Sequence, residues 1–128
     1  MNQMKEICGH YRHYKEQKPY RAFCEAIDET GVRYVLYQKQ YGDQSFWIRP
    51  YDMFFESVRI DENGTKKEVL RFTPTETPHG PTEELRELEQ RMQKEAIIAL
   101  HSETLAQYVV TAISRESGSV EVKLYSPK

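Results

Sequence analysis

Over the first 72 residues, five or six short runs rich in apolar and aromatic residues recur at spacings near ten, separated by turn residues, which is the pattern of short strands. Over 20–27, the even positions Tyr20, Ala22, Cys24 and Ala26 form one face, and Arg21, Phe23, Glu25 and Ile27 form the other. Asp28-Glu29-Thr30-Gly31 has turn chemistry, because Gly31 can take a positive φ. The β-branched and aromatic run over 32–41 predicts the longest strand, with Tyr34 and Leu36 facing away from Val35 and Tyr37. A turn at Tyr41-Gly42-Asp43-Gln44 leads to a strand over 45–49, which Pro50 closes because it has no N–H for the ladder. Tyr51-Asp52-Met53-Phe54 predicts a short helical turn before a strand over 55–60. Asn63-Gly64 then marks a hairpin, with the returning strand over 68–72.

The pattern changes after residue 72. Residues 73–81 hold three prolines and a glycine, and predict a linker. From Thr82, read as an N-cap, apolar residues fall at spacings of three and four: Leu85, Leu88, Met92, Ala96 and Ala99. This predicts a helix that runs at least to Leu100, with Glu83 and Glu84 in the first turn, where the helix dipole favours anions. A hairpin closes the pattern, with strands over 108–114 and 120–125; Val120, Val122 and Leu124 alternate there with Glu121 and Lys123. The expected class is mainly β, α+β overall: a small β-barrel over 9–72, a Pro-rich linker over 73–81, and a helix plus hairpin over 82–128. That last segment either packs on the barrel or is a degenerate second copy. The shared form Glu-Thr-x-x-x-Tyr-Val at 29–35 and again at 103–109 motivates the second possibility, with chance recurrence as the alternative.

Composition narrows the classes. A chain of 128 residues with 38% hydrophobic and 30% charged content suits one ordinary domain, or a small one with an appended element. No apolar run is long enough for a bilayer, and residues 1–6 lack the apolar stretch of a signal peptide, so a cytoplasmic location is expected. The only cysteines, Cys8 and Cys24, have no CxxC spacing and read as free thiols, Cys24 in the core and Cys8 exposed near the terminus. The net charge of −2 argues against a generic nucleic-acid binder. The nine tyrosines, five phenylalanines and one tryptophan lie mostly in the first 72 residues, which makes that segment aromatic-rich.

The residues His13-Tyr14-Lys15, Tyr20, Ala26, Glu29-Thr30, Tyr34-Val35, Tyr37, Tyr41-Gly42-Asp43, Trp47-x-Arg49-Pro50, Met53-Phe54, Glu56 and Val58 resemble the bacterial family called domain of unknown function 1653. The resemblance covers about residues 9–72 and implies a small SH3-like β-barrel. It implies no activity, since the family is uncharacterised. Members usually carry His-Ser-Glu-Thr where this chain has Ile27-Asp28-Glu29-Thr30; here that tetrapeptide occurs instead at 101–104.

The candidate binding residues are His13, Tyr14, Lys15, Trp47, Arg49 and Tyr51. If Phe46 and Ile48 face the core, Trp47 and Arg49 point outward together, offering a stacking surface beside a forked donor for carboxylate or phosphate. The competing reading has Trp47 closing one end of the barrel and Arg49 paired with Asp52 or Glu56. His13 with Glu56, or His101 with Glu103, could be drawn as acid–base pairs, yet no nucleophile elbow, zincin helix or phosphate loop is present. No catalytic residue, metal site or cofactor is therefore expected. The leading expectation is a binding or scaffolding module for a macromolecular partner, a protein or peptide ahead of nucleic acid, with no membrane role. A small hydrolase or nucleotide-processing enzyme and a structural subunit are the alternatives. The helix over 82–100 could also serve as a homodimer seam.

Overall fold

Strand β3 (Arg33–Lys39) is apolar on both faces, and the molecule is organised around that fact. The computed structural model describes residues 6–126. Tyr34 and Leu36 enter one hydrophobic cluster, while Val35 and Tyr37 enter another, and all four are buried. The expected alternation of this strand thus holds, with both pairs covered.

β3 is flanked by β2 (Pro19–Ile27) and β4 (Phe46–Pro50) in an antiparallel meander. A second meander comprises β8 (Ile98–His101), β9 (Gln107–Ser114) and β10 (Ser119–Leu124). Two parallel pairings, β4 with β8 and β2 with β10, join the meanders into a closed barrel of six strands. The fold class is as expected, mainly β with a small barrel and one main helix. The barrel draws three strands from each side of the Pro-rich segment. The Glu-Thr repeat occupies the turn between the first and second strand of each meander, with Gly31 at φ 89° in one and Leu105 at φ 62° in the other.

The barrel interior is filled from all six strands, including Phe23, Leu36, Ile48, Ala99, Val110 and Val122. Helix α2 (Thr82–Met92) adds Leu85 and Leu88 to this core. The face considered for a dimer seam therefore packs against the barrel. The helix is shorter than the sequence periodicity predicts: it ends at Met92, and of the apolar residues expected in its last turns Ile98, Ala99 and Leu100 form β8 instead. Ile97 and Ala99 satisfy either period over so short a run, and pairing with β4 decides the outcome. Thr82 is the first helical residue rather than the cap, a position taken by Pro81.

A β-bulge at Phe23 lets one long strand serve two sheets. Residues of β2 before the bulge pair with β1 (Gly9–His13), and those after it pair with β10. In turn β1 pairs with β7 (Phe72–Pro74), a strand that runs into the segment predicted as linker. Together with helix α1 (Tyr51–Phe55), these elements cover the outer face of β3 with a second core: Ile7, Cys8, Tyr11, Ala22, Phe54 and Phe72. Cys8 is fully buried, not exposed, because the Cys8–His79 bridge folds the start of the described chain beneath this layer. The predicted hairpin at Asn63-Gly64 is present and joins β5 (Ser57–Glu62) to β6 (Thr65–Leu70). Asn63 at φ 54° and Gly64 at φ 78° give the two left-handed residues such a two-residue turn requires, so the strands run closer to it than predicted.

Candidate functional site

On the outer face of the barrel, where the second core ends, His13, Tyr20, Tyr37, Lys39, Tyr41, Trp47, Arg49, Phe72 and Ser102 line a cleft of about 280 Å³. Strand alternation in β4 sends Phe46 and Ile48 inward and Trp47 and Arg49 to this face together. The face is not open solvent, however. Trp47 packs against the second core and is half-buried, and the Arg49 side chain is only 14% exposed. The reason is that β3 also carries apolar residues on that side, which need a cover.

The walls are aromatic and mutually perpendicular. Tyr20 meets Tyr41 and Phe72 edge-on, at 5.7 and 5.4 Å between ring centres, and its hydroxyl lies 2.9 Å from that of Tyr41. Burial, reinforced by that hydroxyl contact, keeps Tyr20 protonated by raising its pKa. Trp47 donates its indole N–H to Ser45 Oγ at 2.9 Å, which fixes the ring. Arg49 donates from Nε to the Tyr37 hydroxyl at 3.4 Å, and its Nη1 lies 3.7 Å from Glu103, beyond hydrogen-bond distance.

Cations already occupy the aromatic faces. Lys39 Nζ stands 5.3 Å from the Trp47 ring centre and 5.5 Å from that of Tyr41, and Lys18 Nζ stands 5.1 Å from Tyr41. Arg49 lies 5.8 Å from the Phe72 ring. The Ser102 hydroxyl is buried and has no hydrogen-bond partner. The residue lies at the cleft because its amide donates to Ile48 O at 2.9 Å, one residue beyond the parallel ladder of β8 and β4.

His13 Nδ1 accepts the Lys15 amide at 3.2 Å, so the neutral ring carries its proton on Nε2. Burial first, then the charges of Arg49, Arg71 and Lys15, pull the His13 pKa down to about 4. Its ring touches Tyr14 and Phe72 at 4.8 Å each. Tyr14 and Lys15 thus lie beside the cleft, with Lys15 Nζ 5.8 Å from the Tyr14 ring, and do not line it. Tyr51 lies apart, against Phe55 at 5.1 Å and beneath the Arg33 guanidinium at 4.2 Å.

Of the six candidate residues, His13, Trp47 and Arg49 converge in the cleft. Tyr20, Tyr37, Lys39, Tyr41 and Phe72 were in plain view in the sequence as strand or turn residues, without a sign of which face they share. Ser102 stands in the His-Ser-Glu-Thr tetrapeptide at 101–104, a signal that does not say it would lie beside β4. Neither proposed acid–base pair forms as drawn: Glu56 binds Arg71 at 2.7 Å, and His101 Nδ1 accepts the amides of Glu103 and Thr104. Burial raises the pKa of both thiols, that of Cys8 to about 12, which leaves them unreactive. Among the described residues no group of three or more His, Cys, Asp or Glu side chains could hold a metal ion, and no helix is long and apolar enough to cross a membrane.

A second polar cluster lies at the start of α2. Glu84 is almost fully buried; one oxygen bonds Arg21 at 3.2 Å and sits 3.8 Å from His79, while Oε1 has no partner. Arg21 also holds Glu87, and so ties α2 to β2. The cluster is a brace between helix and barrel.

Residues 9–74 match the family model described as "Protein of unknown function (DUF1653)". No curated protein and no solved structure matches the chain.

Proposed function

The chain belongs to the family of proteins of unknown function DUF1653, and on that premise we propose that it is a non-catalytic binding module. Its outer cleft holds a planar group of a macromolecular partner that carries negative charge beside that group. The convergence of Trp47, Arg49 and His13 with four further aromatic side chains carries the reading. The charge of the ligand follows from the lysines: with Lys18 and Lys39 already over Tyr41 and Trp47, a cationic ligand would meet repulsion where an anion meets attraction.

Catalysis is the weaker reading. A general base works best with a pKa near the working pH, whereas His13 is held near 4 by burial and by cations. No carboxylate orients its ring, because Nδ1 is engaged by a backbone amide. The test is retention of partners from a host extract by the wild type and by Arg49→Gln, with melting curves confirming that both are folded. A partner held by the wild type and lost by the variant is the expected result. Equal retention by both proteins refutes the assignment of the cleft.

A further inference from the structure

Resting on the cleft as a binding site, we infer that its occupant is single-stranded nucleic acid, one unstacked base entering among the aromatic rings while neighbouring phosphates meet the rim. The observation is an alternation. Lys15 stands over Tyr14, Lys18 over Tyr41, Lys39 over Trp47 and Arg49 over Phe72, so cations and rings are interleaved across the site and its approach. A single strand presents the complementary alternation of flat bases and anionic phosphates, and such strands are held by stacking on aromatics within positively charged grooves. The net charge of −2 does not oppose this, because binding depends on local placement and the acidic residues of α2 brace the other side of β2.

The size and polarity of the cleft agree. About 280 Å³ admits one ring system with its immediate attachments, not a duplex, whose bases are stacked and unavailable. A base edge presents donors and acceptors together. The cleft offers both: the neutral His13 ring keeps a proton on Nε2, and the paired Tyr20 and Tyr41 hydroxyls keep lone pairs that can accept. The guanidinium of Arg49 is anchored through Nε on Tyr37 and has Nη1 near Glu103, which leaves Nη2 for a phosphate.

The chain has one tryptophan, and it lies in the cleft, so its fluorescence reports occupancy directly. The probes are a uridine oligonucleotide of about 12 nucleotides, the same strand annealed to its complement, free uridine monophosphate, and a peptide of alternating Glu and Tyr. The single strand should quench Trp47 and bind at least about tenfold more tightly than the duplex or the free nucleotide, weakening as salt rises from about 50 to 200 mM. Lys39→Gln and Arg49→Gln should each lower affinity and flatten the salt dependence by about one phosphate contact. Trp47→Ala removes that reporter, so its affinity is read from the anisotropy of a dye-labelled strand, and it should fall about tenfold to a hundredfold. Should Trp47→Ala fail to fold, the two charge variants carry the test alone. Binding of the peptide but not of the strand overturns nucleic acid and leaves the cleft as a binding site. Equal affinity for strand and duplex, or for strand and free nucleotide, overturns single-strand recognition. Failure of every probe to perturb Trp47 overturns the inference; partner retention that survives Arg49→Gln sinks the cleft itself.

Discussion

Replacing Phe54 with alanine tests whether the second core on the outside of the barrel supports the fold. Phe54 is fully buried, stacks on Phe72 at 4.2 Å with the rings 8° apart, and meets Tyr11 and Tyr37 at 5.3 Å each. It is the buried residue of α1, so the truncation leaves a void that a five-residue helix following Pro50 can close only in part. Deleting a buried aromatic ring of this kind costs about 3–5 kcal/mol, set against a total stability of about 5–15 kcal/mol for a domain. At roughly 3–5 °C per kcal/mol for a chain of this length, the melting temperature should fall by about 10–25 °C. Circular dichroism melts and urea titrations followed by Trp47 fluorescence both read this. Phe54→Leu, which keeps much of the volume, should lose about 1–2 kcal/mol. A shift of only a few degrees in the alanine variant would mean that the outer layer is a loose cover.

Two other outcomes follow from buried charge. Arg21→Met removes the guanidinium that holds buried Glu84 and should destabilise the protein by about 3–5 kcal/mol in urea; a neutral result would show that water reaches the carboxylate. His13 has a folded pKa of about 4, below its ordinary value of about 6.5, so the unfolded chain binds more protons between these limits. Its contribution is therefore complete above about pH 6.5 and is lost as pH falls towards 4. Urea titrations across that range should show a shallower pH slope in His13→Gln, the remainder including His101, which burial also holds below its ordinary value. Identical slopes would contradict the burial of His13.

Local signals in the sequence were read well wherever the structure is local. The meander β2–β3–β4, the turn of α1, the Asn63-Gly64 hairpin and the β9–β10 hairpin all stand close to where alternation and turn chemistry put them. Two things were not legible. One is β8: its few apolar residues continue the helical stripe of α2, and only the backbone of β4 beside them makes a strand of them. The other is the second core, which depends on β3 being covered on both faces and on β7 forming from a segment whose prolines suggest a linker. The site inherits this division. Alternation alone places Trp47 and Arg49 on one face, while the aromatic walls come from β1, β2, β3, β7 and the turn after β3, whose convergence is a tertiary fact.

The parallel pairings that close the barrel also set the order in which it can form. Every antiparallel pair of the two meanders joins neighbours in the chain, but β4 must await β8 and the far half of β2 must await β10. On the ribosome the first meander therefore emerges with two open edges, along Phe46–Ile48 and Glu25–Ile27, and stays so until the last strands leave the exit tunnel. Unpaired edges invite pairing with other chains, and distant contacts slow the final step. The nascent protein thus passes through a half-barrel stage in which pairing with other chains competes with completion of the fold.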